Sequence, residues 1–249
     1  MDAIGVFSSK AEKYAKYRWA YAPEAIQAIF DQTGITTESC VADIGAGTGI
    51  LTREFIGKVK QIFAVEPNPE MRTIVARVLD CYPSCLVLNG RAEATTLVDR
   101  SIDLIAVAQS VHWFKPEAAR REFYRILKTG GWLAICRNYG TNRELVEALQ
   151  HIYPAENDTE ALMVGKQQPT SYYFGDHDFS KTGHPFKSIL GWRDFLGSLL
   201  TASFAPDEGG PLYEQFECKA RNVFDDFCVN EQIEISGMTE LYLGQIAGI

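Results

Sequence analysis

Two carboxylates and three glycines give the first chemical signal in this chain. The stretch Val41-Ala42-Asp43-Ile44-Gly45-Ala46-Gly47-Thr48-Gly49 is followed by Ile50, Leu51 and Phe55, which open a helical pattern. Glu66 comes about 20 residues further on, directly behind the apolar run Gln61-Ile62-Phe63-Ala64-Val65. Gly45 and Gly47 permit a sharp turn with no side chain between backbone and ligand. Gly49 lets the next helix lie close to the strand, and the carboxyl end of a strand is where open α/β sheets bind their ligands. A helix N-terminus there offers N–H donors to a carboxylate or phosphate. An ordinary strand-to-helix turn could use the same glycines. Glu66, at the tip of the neighbouring strand, is placed to accept hydrogen bonds from ribose hydroxyls, which points to an adenosine-type cofactor.

The spacing G-x-G-x-G departs from the G-x-G-x-x-G of dinucleotide sites. A fixed Asp43 carboxylate beside the turn would repel a pyrophosphate and suit a ligand carrying an ammonium and a sulfonium. S-adenosylmethionine has both. With these residues the chain resembles the class I S-adenosylmethionine-dependent methyltransferases, and within them the type 11 group of small-molecule methyltransferases. Ala64-Val65-Glu66-Pro67-Asn68-Pro69-Glu70-Met71 is similar to the family's second motif, and Gly90-Arg91-Ala92-Glu93 to its adenine-side loop. Asp103 to Ala108 with Gln109-Ser110-Val111-His112-Trp113-Phe114 resembles its fourth strand and active-site loop. Tyr124-Arg125-Ile126-Leu127-Lys128-Thr129-Gly130-Gly131 resembles its helix-to-strand turn, with Thr129 where the family usually has proline.

The resemblance implies S-adenosylmethionine as cofactor and S-adenosylhomocysteine as product. It implies cofactor contacts from Asp43, Gly45, Gly47 and Gly49, from Glu66, Pro67 and Met71, from Ala92 and Glu93, and from Gln109 and Ser110. Glu93 serves either as an adenine acceptor or as a carboxylate at a helix start. Phe7, Ala11, Tyr14, Arg18 and Tyr21 resemble the family's N-terminal signature, with Trp19 and Ala22 replacing its two prolines. In the family that segment covers the cofactor, which puts Tyr14 and Arg18 near its methionine end; a surface helix anchored by aromatics is the alternative. His112 could take a proton from a substrate hydroxyl or amine, or pack into its loop with a hydrogen bond to a backbone carbonyl. For the acceptor, Trp19, Tyr21, Tyr139, Tyr172 and Tyr173 suggest an aromatic wall. Arg137, with Arg18, suits a carboxylate, as in members that esterify small acids. The implied reaction is in-line methyl transfer to oxygen or nitrogen of a small molecule, a carboxylate included.

These residues need elements to hold them. Apolar runs at 40–44, 61–65, 85–88, 103–108 and 132–136 alternate with amphipathic stretches that begin at Pro23, Pro69 and Pro116. Such alternation predicts parallel strands with right-handed crossovers. The family implies a Rossmann-like α/β fold: a seven-stranded, mostly parallel sheet with an antiparallel last strand, helices on both faces and a helical lid. A single domain over 1–249 is expected, with lid elements at about 1–22 and 142–206. Thr141 and Glu144 form a capping-box pattern for a helix to about Tyr153. Pro154, Asn157, Gly165, Pro169, Gly175 and Gly183 break the pattern beyond it. Helical spacing returns at Trp192–Ser203 and Tyr213–Phe227, and Ile233, Ile235 and Thr239 to Gly244 read as strand.

Composition narrows the class. At 249 residues and 46% hydrophobic, the chain can bury a large core. Its formal charge of −8 disfavours nucleic acid as a partner. No apolar run of about 18 residues predicts a membrane span, and Met1 to Gly5 lacks the pattern of a signal peptide, so a soluble cytoplasmic protein is expected. The six cysteines read as buried free thiols, and no metal is expected at His177 or His184. Rival readings are a nicotinamide dehydrogenase, an S-adenosylmethionine-binding protein without methyl transfer, and a methyltransferase of RNA or protein. Oligomeric state is not encoded in any feature of the sequence.

Overall fold

The computed structural model describes residues 10–153 and 168–246; the expected helix start at Phe7 and the breaks at Pro154, Asn157 and Gly165 lie outside the described residues. Seven strands form one sheet: β1 (Cys40–Ile44), β2 (Gln61–Val65), β3 (Cys85–Leu88), β4 (Ile102–Ala108), β5 (Leu127–Gly140), β6 (Phe179–Gly191) and β7 (Gln232–Gln245). Their order is β3-β2-β1-β4-β5-β7-β6. The first five pair in parallel, and β7 is antiparallel to both β5 and β6, so β7 is the one reversed strand.

Helices cover both faces because strand side chains alternate. Val41, Leu104 and Ala106 face one side, against Ile26 and Ile29 of α2 (Pro23–Thr33), α1 being Ala11–Tyr17. On the same side, α3 (Pro69–Leu79) packs Val75 and Leu79 on Ala64 of β2, whereas Ala42, Ile44, Ile105 and Val107 face the other side, where α4 (Pro116–Ile126) contributes Phe123 and Ile126 to the core. Burial of each such large side chain contributes about 1.5–3 kcal/mol. Pro23 starts α2, and Gly34, at φ 64°, ends it by donating to the Phe30 carbonyl. Asn68 caps α3 by accepting from Met71 N.

Three local expectations differ from the structure. The glycine turn does not open an α-helix: only a 3-10 helix forms, Thr52–Phe55, because Ile56 turns extended and Gly57 adopts φ 73°. The cap of α5 (Arg143–Gln150) is Asn142, which accepts from Leu145 N. Thr141 is still tied to β7 through its N–H to Ser236 O. The expected lid at 142–206 is interrupted by β6, the outermost strand. An edge position has one free side, which accommodates Pro185 in mid-strand.

Above the carboxyl end of β5 sits a separate apolar cluster. It joins Leu145 of α5, Phe195 and Leu199 of α6 (Trp192–Leu199), Phe216 and Phe224 of α7 (Tyr213–Phe227), and Ile233 and Ile235 of β7. The β5–β7 ladder ends at Gly140 opposite Gly237, whereas β6–β7 pairing continues to Gly191 opposite Gln232. A two-stranded ribbon therefore carries these helices. Helix α1 bridges the two parts. Ala11 packs on Met71 and Ile74, and Tyr17 lies over Gly197, where a Cβ would come within 2.6 Å of its ring. The buried Lys10 donates to the carbonyls of Ala202 (2.9 Å) and Ala205 (2.5 Å).

Candidate functional site

The glycine turn is built by the neighbouring strands. Gly45 and Ala46 donate N–H bonds to Val65 O at 2.9 and 3.1 Å. Gly45, Gly47 and Gly49 have φ of 72°, 57° and 83°, conformations that side-chain residues rarely adopt. A Cβ on Gly45 would lie 2.6 Å from Ser110 Oγ, and one on Gly49 would lie 2.7 Å from Val75 Cγ2. At Gly47 the nearest atom would be Met71 Sδ at 4.0 Å, so the turn is open on that side. Ser110 Oγ in turn donates to Ile44 O (3.1 Å), fixing the β4 tip beside the turn.

Glu66 locks this turn to the next one. One carboxylate oxygen accepts from Gly47 N (2.8 Å) and the other from Asn68 N (2.8 Å). Burial raises its pKa, and the two N–H bonds oppose that rise. A carboxylate has about four acceptor positions, so each oxygen keeps one for a ligand. Arg72 donates to the Glu66 and Pro67 carbonyls, at 2.9 and 2.6 Å, and holds the start of α3.

A cavity opens on these groups. Its walls include Tyr14, Gly45, Gly47, Glu66, Pro67, Met71, Ala92, Glu93, Gln109 and Ser110, all singled out from the sequence. Asn68, Arg91, Trp113, Phe114 and Lys115 also line it. Arg91 and Lys115 were missed; Arg91 sits inside the Gly90–Glu93 motif, whereas nothing in the local sequence marks Lys115. Glu93 accepts from Lys115 N (2.7 Å), the N-cap of α4, so it acts as a carboxylate at a helix start. Gln109, at φ 55°, donates from Nε2 to Asn138 O (3.0 Å).

Four expected cofactor or catalytic residues lie off the cavity wall. Gly49 packs on α3. Asp43 is 1% exposed and points under the turn, where it accepts from Thr52 Oγ1 at 2.6 Å. Burial raises its pKa to about 7; the Thr52 hydrogen bond opposes the rise and the Glu66 charge adds to it. Asp43 therefore does not face the ligand, contrary to the expectation from sequence: as the next residue but one after Val41 on β1, it points to the same α2 face. Arg18 packs over the Tyr14 ring, 5.4 Å from its centroid, and donates to Thr201 Oγ1 (3.3 Å). His112 sits on a 3-10 helix, Val111–Trp113, and is exposed. Loss of hydration among its neighbours, then the charges of Arg137 and Arg18, lower its pKa to about 4.

The expected aromatic wall disperses. Tyr173 is 1% exposed, packed between Phe114 and Phe123, and its hydroxyl donates to Val111 O. Tyr172 covers the Arg120 guanidinium on α4. Tyr21 is buried in the α2-side core. Trp19 packs on Phe186 at 5.8 Å, and its Nε1 is buried without a partner. Only Tyr139, 48% exposed at the β5 tip beside Arg137, stays open to solvent. Cys136 is buried, whereas Cys81 and Cys218 are exposed; all six cysteines are free.

The cradle suits an adenosyl group with an amino-acid tail. Glu66 has spare acceptors for a ribose diol, Gly47 leaves backbone exposed, and Thr48 Oγ1 in the same turn is buried without a partner. Met71 and Ala92 offer apolar surface to a purine. Among the described residues no His, Cys, Asp or Glu group gathers as a metal site, and no helix is long and apolar enough to cross a membrane.

A family model described as a methyltransferase domain matches residues 42–135. The chain is 36% identical over 148 residues to an uncharacterized methyltransferase of Mycobacterium tuberculosis, covering 57% of this chain and 58% of the relative. It is 34% identical over 137 residues to an uncharacterized methyltransferase of Schizosaccharomyces pombe, covering 55% and 53%. The chain thus spans just over half the length of the curated relatives it matches. In fold it is similar to a candidate type II methyltransferase of Anaeromyxobacter dehalogenans (TM-score 0.62, 17% identity, 93% of this chain and 99% of that one). It is also similar to the YcgJ protein of Bacillus subtilis (TM-score 0.58, 18% identity, 91% and 99%).

Proposed function

We propose that the chain, whose residues 42–135 match a methyltransferase domain, is a class I S-adenosylmethionine-dependent methyltransferase that methylates an oxygen or nitrogen of a small-molecule acceptor. The observation that carries this reading is the Glu66 carboxylate, which holds one backbone N–H on each oxygen and keeps its remaining acceptors on the cavity wall. When bound, S-adenosylmethionine supplies a methyl group activated on sulfonium, open to in-line displacement.

This chain's own residues supply the rest. Glu66 would hold the ribose, with Met71 and Ala92 flanking the purine and Gly45 and Gly47 leaving the backbone open to the amino-acid tail. Gln109 and Ser110, fixed by Asn138 and Ile44, set the β4 tip beside the reacting end. Tyr14 closes the cavity from α1. Holding reactants in line can lower a barrier by on the order of 7–11 kcal/mol. That matters here because His112, neutral with a pKa near 4, is a poor proton acceptor at neutral pH. The site works by positioning and by excluding water.

Calorimetric titration with S-adenosylmethionine, S-adenosylhomocysteine and NAD tests the reading. Micromolar binding of the two sulfur compounds and none of NAD is expected. Binding of neither sulfur compound would sink it.

A further inference from the structure

Two elements that arrive from opposite sides of the glycine turn close one end of the cavity. The loop behind β3, the edge strand beyond β2, contributes Arg91, Ala92 and Glu93 to the wall. The start of α4, which follows the β4 tip, contributes Lys115, and the two meet where Lys115 N donates to Glu93 (2.7 Å). The loop is fixed at further points. Arg91 N donates to Ala94 O (3.1 Å) and Ala94 N to Arg91 O (2.9 Å), closing a tight turn. Thr95 N and Thr95 Oγ1 both donate to Glu122 Oε1 of α4, at 2.7 and 2.6 Å. A Cβ on Gly90 would lie 2.9 Å from Thr95 O, so the turn has no room to spread.

Two uncompensated cations stand on this frame. Arg91 and Lys115 are both exposed, and none of the ion pairs among the described residues uses either. Glu93 shares the wall with them; it spends one acceptor position on Lys115 N and keeps the others. This end of the cavity therefore offers a donor, an acceptor and a second donor. A phosphate or carboxylate fits that array poorly, because the Glu93 carboxylate stands among the cations. The edge of a 6-aminopurine is its complement: the amino group donates, and the ring nitrogens N1 and N7 on either side accept. A 6-oxopurine reverses two of the three positions. Its oxygen would face the Glu93 carboxylate, and its N1 carries a hydrogen that would face a cation.

We propose that Arg91 and Lys115 set the base specificity of the cavity by donating to the ring nitrogens of a 6-aminopurine on either side of its amino group. This selection rests on the adenosyl-cofactor reading above, and it gives a role to two residues that local sequence did not mark.

The test is calorimetric titration of the full chain with S-adenosylhomocysteine and with its 6-oxo counterpart, S-inosylhomocysteine. The wild type should bind the amino compound about 10–100-fold more tightly, the worth of charge-assisted hydrogen bonds. Arg91→Met and Lys115→Met keep an apolar stem and remove the donors. Each variant should lose about tenfold in affinity for S-adenosylhomocysteine and change by less than about threefold toward S-inosylhomocysteine, so the preference narrows. Both side chains are exposed and outside every ion pair described, so the variants should fold, and a wild-type urea midpoint checks that they do. Equal binding of the two compounds by the wild type overturns the proposal. So does an equal loss of both in the variants, which would make these residues mere supports of the loop. Unchanged S-adenosylhomocysteine affinity in both variants also overturns it and leaves a solvated rim around an intact cofactor site. Binding of neither compound by the wild type fails the cofactor reading itself, and the base selection with it.

Discussion

Replacing Asp43 by asparagine separates a buried charge from the hydrogen bond that it makes. The folded pKa of about 7 stands roughly 3 units above the ordinary 3.8. At 1.36 kcal/mol per unit, that is about 4 kcal/mol. The sign follows from linkage. Between those two values the folded chain holds more protons than the unfolded one, so stability falls as pH rises through the window. Below pH 4 the wild type carries almost none of this penalty; by pH 8 it carries nearly all of it. Asp43→Asn keeps an oxygen for the Thr52 hydroxyl and never ionises. Leaving its buried amide NH2 without an acceptor costs about 1–3 kcal/mol, but that offset does not vary with pH. Urea unfolding of both proteins from pH 4 to pH 8 should show the variant gaining on the wild type by about 4 kcal/mol, more than half of it between pH 5 and pH 8. Parallel stability curves would refute the reasoning and return Asp43 to an ionised, ligand-facing role.

Three further outcomes follow from the same geometry. Glu66→Gln sets an amide NH2 against a backbone N–H; S-adenosylhomocysteine affinity should fall about 10–100-fold by calorimetry, and unchanged affinity would remove Glu66 from the ribose. Gly45→Ala forces a Cβ to within 2.6 Å of Ser110 Oγ at φ 72°, and should cost about 1–3 kcal/mol in urea unfolding together with cofactor affinity; a wild-type midpoint would show that the β4 tip gives way. His112→Ala should slow turnover less than tenfold with cofactor affinity kept, and kcat of the wild type should show no inflection near pH 6.5, since the imidazole is already neutral there; a loss above a hundredfold would make it the base.

The parts of the site that were legible from sequence are those set by covalent spacing. Glycines at alternate positions after a strand, and a carboxylate at the tip of the next one, fix their own geometry once parallel pairing brings β1 beside β2. Side chains whose roles depend on distant contacts were not legible. Tyr173 reads as a pocket wall, yet it is core, because Phe114 and Phe123 arrive from other elements to enclose it. Asp43 lies one residue from the turn, but strand alternation sends it to the opposite side. Gly183 and Pro185 look like loop punctuation, and they fit inside β6 only because that strand has a single neighbour. Asn142 displaces Thr141 as a helix cap because β7 still claims the Thr141 N–H.

Gly140 and Gly237, facing each other where the β5–β7 ladder ends, have a further consequence. The chain leaves the β5–β7 ladder and rejoins it through adjoining positions, while β6 and the buried Tyr173 and Phe174 between them still belong to the main sheet and its core. Changing the length of that segment adds little closure entropy, since the cost grows only with the logarithm of loop length. The cradle around Glu66 is built from β1 to β4 and the segments that follow them, with Tyr14 added from α1. Length changes in the stretches between α5 and α7 that lie outside β6 therefore leave that cradle standing.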